Sequence, residues 1–167
     1  QHATNYIMGS LVSKGQVFLM GHSAGAQIAA LLSLNQALVD QYVRIAGFIG
    51  ISGPYDFFPF TEDDHWQLFG PIEQYPLSQP VNFVHAKAPK LYLLHGADDT
   101  RVRRGHSKSL LEKQRQAGGS AERETYEGMG HIDAIVSFSF MHRRQSKLIR
   151  DIQLFIKSHD TFEPDGT

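Results

Sequence analysis

At 167 residues, with 41% hydrophobic and 20% charged positions, the chain is long enough for one sizeable core and ordinary in composition for a globular domain. A formal net charge of −1 and a pI near 6.8 exclude the long-range field used to bind nucleic acid or anionic membrane, and no run approaches the ~20 apolar residues of a spanning helix. The absence of cysteine removes disulfides, a thiol nucleophile and cysteine-based metal or iron–sulfur sites, and leaves the compartment open.

In chain order, Tyr6, Ile7, Leu11 and Val12 recur at helical spacing and predict a helix over 3–13, broken by Lys14-Gly15. The apolar run QVFLM (16–20) predicts a short buried strand. A helix is expected from Ala24 to Tyr42, with Ile28, Leu31, Leu32, Leu38 and Val39 facing inward. IAGFIGIS (45–52) and PKLYLLHG (89–96) read as two more buried strands, the second bounded by Pro89 and Gly96. Between them, 53–88 is rich in aromatics and proline. A structureless loop of that length is unusual, so short helices forming a lid or a pocket wall are expected there. Residues 107–117 predict a helix stopped by Gly118-Gly119. AERETYEG (121–128) alternates, as a strand nearer an edge does. A short helix over 132–142 and a last one over roughly 144–158 follow, the latter carrying Leu148, Ile149, Ile152, Phe155 and Ile156 on one stripe, before a frayed EPDGT tail at 163–167. Strands alternate with helices and read as continuous apolar runs. The fold class is therefore α/β, a mainly parallel sheet flanked by helices, with 1–167 as a single domain.

Residues 21–25, GHSAG, fit G-x-S-x-G between a predicted strand and a predicted helix. That turn strains the serine backbone, and Gly21 and Gly25 are expected to give clearance to the neighbouring elements. Ser23 Oγ would then project above the sheet as a nucleophile, with the Ala24 N–H aimed where an oxyanion forms. A serine hydroxyl needs a base, and the base an orienting carboxylate. Asp98 and Asp99 lie just past the third strand and His131 just past the fourth. The three residue types thus occur in the order Ser, Asp, His, each at the carboxyl edge of a predicted strand, where open α/β sheets bind ligands.

Taken with GHSAGAQIAALL (21–32), GFIGISGPYDF (47–57), PKLYLLHGADDTRV (89–102) and GMGHID (128–133), the chain resembles the α/β-hydrolase superfamily. It is most similar to the esterase-like branch of carboxylesterases, kynurenine formamidase-like and feruloyl-esterase-like proteins. Prolyl oligopeptidase-like peptidases share similar acid and histidine segments. The resemblance implies an H-G-x-x-D-x-x-V register on His95, Gly96, Asp99 and Val102, which selects Asp99 over Asp98 as the acid. It implies a serine hydrolase of small-molecule carboxylic esters that needs no cofactor, with Ser23, Asp99 and His131 catalytic and Ala24 donating to the oxyanion. A peptidase, an arylformamidase, or a weak or inactive fragment with an interaction role are the alternatives. No H-G-G-type oxyanion loop is found, and residues 1–15 are too short for one, so the chain is expected to correspond to the C-terminal portion of the fold. Losing one oxyanion donor costs about 10²–10³ in rate, and an incomplete sheet invites pairing with a second copy.

The remaining candidates have plainer readings. His22 suits substrate contact or packing equally, and His95 suits a strand-end hydrogen bond. His65, His85, His106, His142 and His159 lack ligand spacing, so no metal is expected. Tyr55, Phe57, Phe58, Phe60, Trp66 and Phe69 fit an acyl pocket or core packing equally. The basic clusters RVRRGH (101–106) and HRRQSK (142–147) read as solvated faces.

Overall fold

A computed structural model of the chain describes residues 17–39, 43–58, 71–139 and 146–159. The helix expected over 3–13, the tail at 163–167 and the aromatics Phe60, Trp66 and Phe69 lie outside the described residues.

Among the described residues, four strands form one parallel sheet in the order β1 (Val17–His22), β2 (Ile45–Ile51), β3 (Lys90–Gly96) and β4 (Ala121–Tyr126). All four expected strands are present. β2 and the middle of β3 (Leu91–Leu94) are largely apolar because both of their faces are covered. Successive side chains alternate between two layers. Phe48, Leu91 and Leu93 meet helix α1 (Ala24–Leu34) and helix α2 (Gly105–Gln116) on one side. Ile49, Ile51, Tyr92 and Leu94 meet helix α4 (Lys147–Lys157) on the other, and the short helix α3 (Asp133–Val136) joins that layer through Ala134. β4 keeps only Ala121 and Tyr126 buried and exposes Glu122 and Glu124, the charged edge its alternation foretold. Among the described residues β1 pairs with β2 alone, and its Met20 is half exposed.

Two expectations for α1 are corrected. The helix ends at Leu34, not Tyr42. Asn35 turns extended and its side chain accepts from the Ala37 N–H (3.2 Å), and a 3₁₀ turn over Gln36–Leu38 follows. An asparagine offers the backbone this alternative to the helical ladder. The inward face is also not Ile28-Leu31-Leu32-Leu38-Val39. Ala26, Ala29, Ala30 and Leu34 are buried, whereas Ile28 and Leu38 are exposed. The small residues Ala26, Ala29 and Ala30 join Phe48, Leu91 and Leu93 in the core on this side of the sheet.

α2 and α4 are close to expectation. α2 stops where Gly118 takes φ +80° and its N–H reaches Arg115 O. α4 buries Leu148, Ile152 and Phe155, with Phe155 stacked on Tyr92 at 4.9 Å. In the described part of 53–88, two 3₁₀ turns (Ile72–Ser78 and Pro80–Phe83) answer the expectation of short helices. Gln27 Nε2 donates to Ser78 O (2.8 Å) and ties this segment to α1, while Phe57 N donates to Gln79 Oε1 (2.7 Å) within the segment itself. Tyr55 is a core residue, fully buried edge-on to Phe48.

Candidate active site

Ser23 follows β1 directly and caps α1. Its backbone sits at φ 54°, ψ −126°, a conformation that costs a non-glycine residue about 1–3 kcal/mol. Hydrogen bonds hold it there: its N–H donates to Ile51 O (2.9 Å), and its carbonyl accepts from Ala26 and Gln27 N–H (3.0 and 3.3 Å). A Cβ on Gly21 would lie 2.3 Å from the Gly25 carbonyl oxygen, so residue 21 must be glycine. The same clearance argument fails for Gly25, whose added Cβ meets nothing within 4 Å among the described residues. Ala24 opens α1, and its N–H is one of the four a helix leaves without an intrahelical partner.

Asp99 follows β3 in a turn built by its own carboxylate: Oδ1 accepts from the N–H groups of Arg101 (3.0 Å) and Val102 (2.9 Å). Its side chain is fully buried. Burial alone would raise the carboxyl's pKa, but the bonds from Val102 N–H and from His131 outweigh it, and the pKa falls below the ordinary carboxylate value. The buried Ser52 hydroxyl adds to that lowering while falling short of a full hydrogen bond. Asp98, by contrast, is exposed and uses its backbone N–H to hold Met129 O (3.0 Å).

His131 lies on the loop after β4. That loop is zipped to the end of β3 by Ala97 N–H to Tyr126 O (2.8 Å) and by the Asp98–Met129 bond. Gly96 makes the close approach feasible, since a Cβ there would stand 2.1 Å from Met129 O. Gly130 N–H donates to Asp133 Oδ2 (2.7 Å) and fixes the turn into α3. The result is a continuous chain. His131 Nδ1 donates to Asp99 Oδ2 (2.8 Å), and the imidazole Nε2 faces Ser23 Oγ at 3.0 Å. With the proton on Nδ1, Nε2 is free to accept from the serine hydroxyl. The structure brings together Ser23, Asp99 and His131, and leaves Asp98 outside.

His22 takes part as well. Its Nε2 donates to the His131 carbonyl (3.0 Å), and the two rings stand 4.6 Å apart. Desolvation lowers the His22 pKa, so it stays neutral beside His131. Sequence reasoning left His22 between substrate contact and packing; the bond to the His131 backbone has no signature in the linear chain. His95 does make a strand-end bond, with Nε2 2.9 Å from Val102 O. Ser52, the polar residue closing an apolar strand, went unremarked in the sequence although that position was its signal. The basic run at 101–106 has Arg101, Arg103 and Arg104 exposed. Among the described residues no cluster of three or more His, Asp or Glu side chains has metal-ligating geometry.

Comparison with known proteins identifies the family. The sequence profile of the prolyl oligopeptidase family matches residues 2–161. The chain belongs to the prolyl oligopeptidase family. Within that family setting its similar proteins carry esterase names. A rice protein (Oryza sativa subsp. japonica) described as a probable isoprenylcysteine alpha-carbonyl methylesterase is 28% identical over 169 residues, which cover 87% of this chain and 41% of that protein. The isoprenylcysteine alpha-carbonyl methylesterase of Arabidopsis thaliana is 26% identical over 172 residues, covering 87% and 40%. The chain thus spans about two fifths of the length of these relatives. Among solved structures, a truncated carbohydrate esterase from gut microbiota superposes with a TM-score of 0.73 at 18% identity, over 93% of this chain and 63% of the other. A sugar hydrolase from Lactococcus lactis gives 0.71 at 20%, over 95% and 68%. A propionate-bound esterase from Thermogutta terrifontis gives 0.67 at 18%, over 89% and 58%. At such identities the likeness is one of fold, and the fold is that of the α/β-hydrolases.

Proposed function

We propose that the chain is a serine hydrolase of carboxylic esters. Ser23 attacks the ester carbonyl, and His131 takes the hydroxyl proton and returns it to the leaving alcohol. Asp99 holds the imidazole in the Nδ1–H tautomer and stabilises the imidazolium. The Ala24 N–H donates to the tetrahedral oxyanion at the positive end of α1. Water then attacks the acyl-enzyme with His131 again as base. The observation that carries this reading is the hydrogen-bond chain Ser23–His131–Asp99, with links of 3.0 and 2.8 Å. The methylesterase names of the rice and Arabidopsis relatives support an ester over an amide, and a small alcohol as the leaving group.

The test is turnover of a short-chain aryl ester, with Ser23→Ala and labelling by a fluorophosphonate probe. Turnover and labelling that both vanish in Ser23→Ala are expected. Turnover unchanged by the substitution would remove the serine from the mechanism. A folded wild-type sample that resists the probe would favour an inactive, interaction-type role. The family's name favours a second reading, a peptidase. A panel of ester and prolyl-peptide substrates separates the two.

A further inference from the structure

Asp99 rests on two buried polar side chains that the reaction itself does not use. His95, near the end of β3, has a fully buried ring, with Nε2 2.9 Å from Val102 O and 3.5 Å from Asp99 Oδ2. A carbonyl only accepts, so Nε2 carries the proton, and that N–H dipole also faces the carboxylate. The other nitrogen, Nδ1, is buried with no partner among the described residues. A protonated ring would therefore bury an unpaired N–H and a charge; burial lowers the His95 pKa, and the ring stays neutral. Ser52, at the end of β2, is fully buried, holds φ +49° and has a hydroxyl with no hydrogen-bond partner among the described residues. Its backbone is pinned there by its N–H to Leu94 O (2.9 Å). A strained, non-glycine residue with an unspent buried donor, one strand from the acid, calls for an explanation.

We propose that Ser52 and His95 are positioning residues for Asp99: from the ends of β2 and β3 they fix the carboxylate so that Oδ2 faces His131 Nδ1. The two oxygens of a carboxylate are equivalent until the surroundings distinguish them. The backbone N–H groups of Arg101 and Val102 take Oδ1, and the His95 N–H edge lies toward Oδ2. His95 also holds the Val102 carbonyl, so the same ring braces the turn whose N–H binds Oδ1. The Ser52 hydroxyl is spent on no other acceptor, and it can close on the carboxylate without breaking another bond. The demand for such bracing is greatest when His131 becomes imidazolium and Asp99 must remain its ionised partner. The inference rests on the assignment of Ser23, His131 and Asp99 to one reaction.

The test compares Ser52→Ala, His95→Leu and His95→Gln. Glutamine can present its amide N–H near the place of Nε2–H, and leucine cannot. Loss of an outer partner that orients a histidine costs about 10- to 100-fold at metal sites, where the same ring-fixing logic holds. A fall in kcat of about 10-fold with KM unchanged is expected for Ser52→Ala and His95→Leu, with most activity restored in His95→Gln. A second readout needs no turnover: the far-downfield proton resonance of the His131 Nδ1–H bound to Asp99, expected in the wild type, should broaden or vanish in Ser52→Ala and His95→Leu and persist in His95→Gln. If His95→Leu does not fold, Ser52→Ala, which deletes a single oxygen, decides. Wild-type kcat together with an intact resonance in Ser52→Ala overturns the proposal, as does a change confined to KM. Failure of the esterase reading shows separately, as a wild type that neither turns over ester nor reacts with fluorophosphonate while the resonance still reports on Asp99.

Discussion

Gly96→Ala tests how the site is assembled. The added Cβ would stand 2.1 Å from the Met129 carbonyl oxygen, a backbone atom that no rotamer change can move. An ordinary carbon-to-carbonyl-oxygen contact is about 3.3 Å, so the loop must retreat by about 1.2 Å. Met129 is two residues from His131, and the oxygen that would be struck is itself the acceptor of the Asp98 N–H, next to the Ala97–Tyr126 bond that also zips the loop to β3. The overpacking should cost about 1–3 kcal/mol of stability. A displacement of about 1 Å at a reacting group costs about 10²-fold in rate, so kcat on an aryl ester, and the rate of fluorophosphonate labelling, should fall by roughly that factor. Gly105→Ala is the control: nothing stands within 4 Å of its added Cβ among the described residues, and it opens α2. It should leave both rates unchanged. A Gly96→Ala protein that melts and labels like the wild type would refute the argument that this glycine sets the position of His131.

Other outcomes follow from the same geometry. Asp99→Asn should reduce kcat by about 10⁴-fold, since the amide favours the wrong imidazole tautomer; single-turnover kinetics at neutral pH would check it. The pKa values of His22, His95 and His106 are each lowered first of all by burial. The unfolded chain therefore binds more protons than the folded one as pH drops below about 6.5. Stability should be full above that pH and decline as pH falls toward the depressed folded values. Calorimetric melting from pH 7.5 to 5 should show it, and a flat profile would contradict the burial of these rings. Leu110→Ala, at a fully buried position between α2 and the sheet, should destabilise by about 2–5 kcal/mol in urea titration. Gly118→Ala should cost about 1–2 kcal/mol, because φ +80° is a region that L side chains resist.

Much of this protein was legible in the linear chain because the signals are local. The four strands show as apolar or alternating runs bounded by Gly and Pro, and the last helix shows as a stripe at helical spacing. The sharp turn at Ser23 is legible for a similar reason: a tight strand-to-helix turn leaves room for few residue types, and Gly21 cannot carry a side chain. Chain order and strand ends sufficed to nominate Ser23 and His131, and the resemblance to a known superfamily selected Asp99. What failed was anything set by distance between elements. The length of α1 depended on a side-chain bond at Asn35, and its buried face on how the helix packs on the sheet, where Ala26, Ala29, Ala30 and Leu34 are buried and Ile28 is not. Gly25 looked as necessary as Gly21 until the space around it was visible.

The sequence by itself determined an α/β chain with a serine, an acid and a histidine at three strand ends, because periodicity and turn chemistry are properties of neighbours along the backbone. Only the tertiary structure decided that Asp99 is buried and bonded to His131 while Asp98 stays in solvent, that His22 holds the His131 carbonyl, and that Ser52 and His95 lie beneath the acid. Those are contacts between residues up to 109 positions apart. Parallel pairing of β1 to β4 aligns their carboxyl ends, and no pattern in one strand records which side chain of the next will stand 3 Å away.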